Sequence, residues 1–227
     1  MTLYSLPIIV LKNMNLKKVF LIIFLAVSLA SCSVFTNLFD VTYDVSAYFK
    51  KASPKIVAIL PFENFSDNPE ASDVLRKIFY AQFSPKKFID VEIFKVDSEL
   101  KKNRIKNPSP LRSPHPEEIG KMLEADALIY GKVTYYKKKW MFFYASKTVG
   151  LFVEMKDTRT GKTLWAAEHK ITTYGGTFPG ITYSNMITTV LSLATGPVTS
   201  LWNYYLNEAE FARNANELCM KIVETIP

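Results

Sequence analysis

Residues 56–61 read IVAILP, a continuous and largely β-branched apolar run that ends at a proline. A strand that is buried on both faces of a sheet has this composition, because helices cover parallel sheets on both sides. Residues 125–133, ADALIYGKV, repeat the pattern further along the chain. Between these two stretches, apolar residues recur at helical spacing over 71–83. Together these segments predict a mixed sheet with helices packed against it.

Three weaker patterns lie between these two strands. Residues 88–96 alternate in the manner of a strand, with Val91 and Ile93 on one side and Phe94 and Val96 on the other. Residues 101–116 are polar and rich in proline, which predicts a loop. Residues 116–123 then predict a short helix that begins at a proline.

The stretch DTRTGK at 157–162 has the composition of a turn. The segments on either side have strand character, so residues 148–172 are predicted to form a hairpin. A further strand-like stretch precedes this hairpin at about 139–144.

The C-terminal third contains a long uncharged region, residues 171–207. Its apolar residues from Ile187 to Tyr205 recur at helical spacing and predict a helix packed on the sheet and bent at Gly196-Pro197. A membrane-inserting hairpin is the alternative, which the many Ser and Thr residues disfavour. Residues 208–223 predict an amphipathic helix. The predicted fold is α/β (α+β), with the order β-α-β-α-β-β-β-α-α and a mixed sheet flanked by helices.

Composition limits the classes of protein that fit. The chain has 227 residues and a net charge of +7, with two His and two Cys. This length supports a real core without disulfides or metals, and 14% aromatic residues argue against disorder. Two His and two Cys, far apart, leave little material for a zinc site or a Cys/His catalytic pair.

The first 32 residues predict the compartment. Residues 14–32, MNLKKVFLIIFLAVSLASC, place two lysines before an apolar run and small residues at its end, as in a secretory signal peptide. The run is too short for a spanning helix. Its end resembles a bacterial lipobox, which implies cleavage between Ser31 and Cys32, and a diacylglycerol and an N-acyl chain on Cys32. The alternative is an uncleaved anchor helix. The lipobox residues are Leu29, Ala30, Ser31 and Cys32.

This signal divides the chain into three predicted parts. They are a signal peptide (1–31, with translation starting at Met1 or Met14), a lipidated Cys and tether (32–54), and an α/β domain (55–227). The first 31 residues carry three lysines and no acid, so the chain from Cys32 has a net charge of +4. Ser33 follows the Cys, which favours an outer-membrane anchor with the domain in the periplasm, the inner membrane and the cell surface being the alternatives. No nucleic-acid partner is predicted.

Residues able to carry chemistry are few and isolated. His115 lies between prolines and is predicted to be solvated, whereas His169 is predicted to pair across the hairpin. Cys219 lies beside the apolar stripe of a helix and is predicted to be an inert buried thiol. No paired carboxylates, phosphate loop or metal cluster is present in the sequence. We therefore expect no enzyme activity, and no cofactor or metal beyond the acyl chains on Cys32.

One basic cluster adjoins aromatic residues. Lys137, Lys138 and Lys139 precede Trp140, Phe142, Phe143 and Tyr144. Lysines are attracted to anionic lipids and aromatic rings favour the polar boundary of a membrane. The cluster Lys137–Trp140 is therefore a candidate contact with an anionic surface, and a solvated strand end is the alternative.

Three motifs carry a family resemblance: VAILPF with Asn64 and Ser66 at 57–66, ADALIYGKV at 125–133, and DTRTGKTLW at 157–165. They resemble the domain shared by the TolB N-terminal module and CsgG-like lipoproteins. With the lipobox included, residues 30–225 resemble a lipoprotein family of unknown function first noted among meningococcal vaccine antigens. Glu124 stands where these families commonly have Gly.

The resemblance implies a function in the envelope. The first hypothesis is a membrane-anchored, non-catalytic subunit of a transport or secretion assembly with a CsgG-like lipoprotein as partner. The second is a regulator of peptidoglycan synthesis of the LpoB type. The third is a self-assembling pore in which residues 136–156 supply membrane strands. Homo-oligomerisation remains open in all three.

Overall fold

The computed structural model describes residues 41–105, 115–141, 144–175 and 208–227. The strands are β1 (Thr42–Val45), β2 (Ile56–Ile59), β3 (Glu63–Asn64), β4 (Ile89–Val91), β5 (Ala127–Met141), β6 (Tyr144–Asp157) and β7 (Thr163–Gly175). The helices are α1 (Phe49–Ala52), α2 (Ala71–Phe83), α3 (Ile93–Lys102), α4 (Pro116–Leu123) and α5 (Ala209–Glu224).

The strands form one seven-stranded mixed sheet in the order β1-β7-β6-β5-β2-β4, with β3 also paired to β5. β2 is parallel to both β4 and β5, whereas the pairs β5–β6, β6–β7 and β7–β1 are antiparallel. The predicted mixed sheet flanked by helices is confirmed.

The crossovers place helices on both faces of the sheet. α2 connects β2 to β4, and α3 with α4 connects β4 to β5 on the other side of β2. Right-handed crossovers that run in opposite directions from a central strand lie on opposite faces. We call the face under α2 the inner face and the face under α3 and α4 the outer face.

The main core lies on the inner face. α2 contributes Leu75, Phe79 and Phe83, and α5 packs beside it over β6 and β7. The helical spacing predicted for 71–83 and 208–223 is confirmed, because in both helices the predicted apolar stripe supplies this core. A smaller core on the outer face joins α3 and α4 to β2 and to the first half of β5.

Residues of two of the family motifs make hydrogen bonds at the end of the sheet where β2 begins. Asp126 Oδ2 accepts the N–H groups of Lys55 and Ile56, both at 3.0 Å, at the start of β2. Asp157 is fully buried and accepts the N–H and hydroxyl of Thr160 at 3.1 and 2.6 Å. The turn closes at Gly161, whose φ of +68° favours glycine. The predicted hairpin is therefore confirmed, and its signature residues are structural.

Glu124 is the C-cap of α4 and adopts a left-handed conformation with φ 54°. Glycine is the usual residue in that conformation, because it has no Cβ to clash. The departure from the family pattern at this position therefore affects only the end of a helix.

Two predicted elements differ in the structure. Residues 88–96 were predicted to be one strand, but the strand ends at Val91 and α3 begins at Ile93. Val96 and Leu100, four residues apart, are buried on one face of that helix, so helical packing outweighs the short alternation. The two predicted strand segments 125–133 and 139–144 are largely one strand, since β5 runs unbroken to Met141.

The folded unit begins earlier than the predicted domain start at residue 55. Thr42–Val45 already pairs with β7, with Thr42 opposite Glu168 and Val45 opposite Trp165. The end of the predicted tether therefore belongs to the sheet. The lipobox, the bent helix predicted over 187–205 and the aromatic residues Phe142 and Phe143 lie outside the described residues.

Candidate interaction surface

The structure separates the lysines of the candidate cluster Lys137–Trp140. Successive side chains of a strand point to opposite faces of a sheet. Tyr136 and Lys138 contact Phe211 of α5, which places them on the inner face. Lys137 and Lys139 therefore lie on the outer face, and Trp140 lies with Lys138 on the inner face. The predicted cluster is not one surface.

A β-bulge at Thr134 sets this alternation. Val133 pairs with Leu151 and Tyr135 pairs with Gly150, so Thr134 is an extra residue without its own partner on β6. Val133 is buried in the inner core. Without the bulge, Tyr135 and Lys137 would follow Val133 onto the inner face. The bulge instead turns both side chains to the outer face.

Tyr135 lies at the centre of the cations on the outer face. The ammonium of Lys137 is 5.0 Å from the centre of its ring, and the ammonium of Lys170, on β7, is 5.3 Å away. The ring also lies against the middle strand, because a Cβ added to Gly150 would be 2.8 Å from Tyr135 Cδ2. The contacts of Lys137 and Lys170 with the Tyr135 ring are cation–π interactions, which also form at exposed sites. The sequence did not single out Tyr135 or Lys170, and only the strand register brings them to Lys137.

Lys139 and Tyr174 extend this surface towards the far end of the hairpin. Lys139 is opposite Ser146, and Ser146 is opposite Tyr174 on the next strand, so all three share the outer face. Lys139 is exposed, and Tyr174 is 72% exposed. We call Tyr135, Lys137, Lys139, Lys170 and Tyr174 the outer patch.

The inner face at the same end is charged but compensated. Lys138 forms an ion pair with Glu208, just before α5, and its ammonium lies 5.5 Å from the centre of the Phe211 ring. Lys147 is buried opposite Lys138 on β6, 5.8 Å from the same ring. Burial lowers the pKa of Lys147, and the charge of Lys138 lowers it further. Here the cations support packing between the sheet and α5.

A cleft of about 650 Å³ lies between the start of α2, β5 and the start of α5. Its lining includes Asp67, Glu70 and Glu208 as well as Lys137 and Lys138. Charges of both signs line it, so it does not select an anion. The outer patch itself contains no acid, and it shares Lys137 with this cleft.

The remaining candidate residues are structural or isolated. Cys219 is fully buried, which confirms the burial predicted for its thiol, and burial raises the pKa of that thiol. His115 is exposed and precedes α4, as predicted. His169 is buried opposite Leu151 on the inner face, whereas His115 lies just before α4, which packs on the outer face. In the described ranges, no helix is both long enough and apolar enough to cross a membrane.

The sequence of this chain matches a family model. The model of the GNA1162-like lipoproteins matches residues 43–209, from β1 to the start of α5. The chain belongs to this family. The sequence resemblance to lipoproteins of the meningococcal-antigen type is thereby confirmed. No curated protein matches the chain by sequence.

Several solved structures are similar to this GNA1162-like chain. Lipoprotein GNA1162 from Neisseria meningitidis is 21% identical, with a TM-score of 0.50 over 66% of this chain and 99% of that one. The PelC dodecamer from Paraburkholderia phytofirmans is 13% identical, with a TM-score of 0.45 over 81% and 95%. The LpoB C-terminal domain from Salmonella enterica is 14% identical, with a TM-score of 0.37 over 52% and 82%. The first likeness supports the fold and nothing further.

Proposed function

We propose that this chain is a lipid-anchored envelope protein that acts as a non-catalytic subunit of a transport or secretion assembly. Membership of a lipoprotein family is the observation that carries the proposal. Cys32, preceded by Leu29, Ala30 and Ser31, is the proposed attachment point for a diacylglycerol and an N-acyl chain. Several acyl chains on one residue hold a protein firmly, because each buried CH₂ contributes about 0.8 kcal/mol. The proposed location is the periplasmic side of the outer membrane.

The contacts made by three charged side chains support a non-catalytic function. Asp126 and Asp157 accept backbone N–H groups, and Arg76 donates to the carbonyl oxygen of Ile59. These side chains are therefore committed to holding strands and turns. A catalytic acid or base instead needs to reach a substrate within hydrogen-bond distance.

An edge strand supports a protein partner, for which we propose a CsgG-like lipoprotein. All four residues of β1 are exposed, and Tyr43 and Val45 are 56% and 38% exposed. An exposed edge strand has unpaired backbone groups that can pair with another chain. The pore alternative is less favoured, because the hairpin carries lysines on both faces and a charge facing lipid is costly.

Co-purification tests the proposed assembly. From envelope solubilised in mild detergent, we expect the tagged chain to bring down a CsgG-like lipoprotein, and we expect Tyr43→Lys/Val45→Lys to lower that recovery at least tenfold. Phe94→Lys is the matched control, because Phe94 is 82% exposed and lies on α3, away from the edge strand. Recovery of a lone monomer from the unmodified chain would count against the assembly.

A further inference from the structure

The outer patch contains three lysines and no acid within its own cross-strand rows. Three cross-strand rows make up this end of the outer face, and they contain Lys137, Lys139 and Lys170 but no Asp or Glu. Among the described residues, none of these three lysines forms an ion pair. The acids on the strands of this face, Asp44, Glu154 and Glu168, lie in rows nearer the body of the sheet.

The folded unit begins at the same end of the sheet as the patch. β1 runs antiparallel to β7, with Thr42 opposite Glu168 and Val45 opposite Trp165. The start of β1 therefore faces the end of the sheet that carries Lys170. Thr42 is the tenth residue after Cys32, and ten residues span at most about 35 Å. A membrane that holds Cys32 is therefore within reach of the outer patch.

The composition of the patch fits a lipid headgroup layer. Lysine ammonium groups attract anionic headgroups, and tyrosine rings favour the boundary between the hydrocarbon and the water. The rings of Tyr135 and Tyr174 are 38% and 72% exposed beside the three lysines. An acidic protein surface would need complementary shape as well as charge, whereas a fluid headgroup layer adapts to the surface that it meets.

We propose that the outer patch rests on anionic phospholipid headgroups of the membrane that carries the anchor. The acyl chains on Cys32 would hold the protein at the membrane, and the lysines would direct the far end of the hairpin, beyond α3 and α4 on the outer face, against the lipid. This orientation leaves α2 and α5, on the inner face, directed away from the lipid. The inference rests on the proposed function for the presence of a membrane anchor, and it corrects the predicted contact by replacing Lys138 and Trp140 with Tyr135, Lys170 and Tyr174.

Vesicle binding by the unacylated chain tests the patch separately from the anchor. The chain from residue 32 with Cys32→Ser is mixed with vesicles of phosphatidylethanolamine and phosphatidylglycerol, or of phosphatidylcholine alone, and sedimented. We expect binding to the phosphatidylglycerol vesicles only, and we expect 0.5 M salt to abolish it because screening weakens exposed charges. Lys137→Gln/Lys139→Gln/Lys170→Gln is expected to lower the partition coefficient roughly 100-fold, at about fivefold per lysine.

A control of equal charge separates the patch from net charge. Lys50→Gln/Lys77→Gln/Lys87→Gln removes three exposed lysines from other surfaces and is expected to change binding less than twofold. Circular dichroism verifies that both variants are folded. Equal losses in the two variants, or equal binding to phosphatidylcholine, would overturn the proposal. Because no acyl chain is present, failure here leaves the anchor intact, and failure of acylation leaves the vesicle result standing.

Discussion

Replacing Trp165 by alanine is expected to lower the free energy of unfolding by about 3–5 kcal/mol. Trp165 is fully buried in the inner core, opposite Met155 of β6 and Val45 of β1. Its indole N–H donates to Thr225 Oγ1 at 3.1 Å, just after α5. Truncation would therefore leave a large cavity and separate β7 from the C-terminal helix. Urea denaturation followed by circular dichroism measures the change.

Trp140→Ala is the matched control, because Trp140 is 48% exposed at the end of β5. We expect its effect to stay below about 1 kcal/mol. Trp165→Phe keeps most of the packing but loses the hydrogen bond, so an intermediate loss of about 1–2 kcal/mol is expected. Equal effects of Trp165→Ala and Trp140→Ala would show that the inner core is not centred on Trp165.

Arg76→Ala is expected to cost about 3 kcal/mol of stability. The guanidinium of Arg76 is buried between α2 and the sheet, and its Nη2 and Nε donate to the carbonyl oxygen of Ile59 at 2.8 and 3.3 Å. Its Nη1 donates to Asp97 of α3 at 2.7 Å. The Arg76 side chain thus joins α2, β2 and α3 at the carboxyl end of β2. Hydrogen bonds from a charged donor in a buried setting are among the stronger ones.

Two variants show which partner matters for Arg76. Asp97→Asn is expected to cost less than about 1 kcal/mol, because the Asp97 side chain is 49% exposed and water can replace it. Arg213→Ala removes an arginine that is 65% exposed and whose ion pair within the described residues is with Glu210 on its own helix, so its effect should be within about 0.5 kcal/mol. A loss for Arg76→Ala as small as that of Arg213→Ala would contradict the assigned contacts.

Local patterns predicted the elements whose burial is periodic. α2 and α5 each place a full apolar stripe on the inner core, and this periodicity is visible in the sequence. The turn at 157–162 is equally legible, since Asp157 and Gly161 make the contacts and the backbone angle that such a turn requires. Trp165, in the last of the family motifs, proved to be a core residue rather than part of a site.

Elements that depend on distant pairing were not predictable from their own residues. β1 is four residues long, so the alternation of Tyr43 and Val45 with two polar residues is too short to predict a strand, and its pairing with β7 makes it one. In 91–96, a short alternation coincided with a helical spacing, and burial of Val96 and Leu100 decides between them. β-structure is more dependent on context than helix for this reason.

The candidate surface was partly visible and wrongly grouped. The run of three lysines is obvious in the sequence, but the bulge at Thr134 and the alternation of β5 send Lys138 to the opposite face from Lys137 and Lys139. Lys170 joins them only through the register of β6 and β7. These strand pairings depend on the register of the whole hairpin, so they cannot be predicted from the local sequence.

The most direct test of the central claim is the mass of the N-terminal peptide of protein extracted from envelope membranes. We predict a peptide that begins at Cys32 and carries a diacylglycerol and an amide-linked acyl chain. We also predict that the Cys32→Ala variant carries no acyl chains and is no longer recovered in the membrane extract. A peptide that retains residues 14–31 and carries no acyl chain would contradict the account.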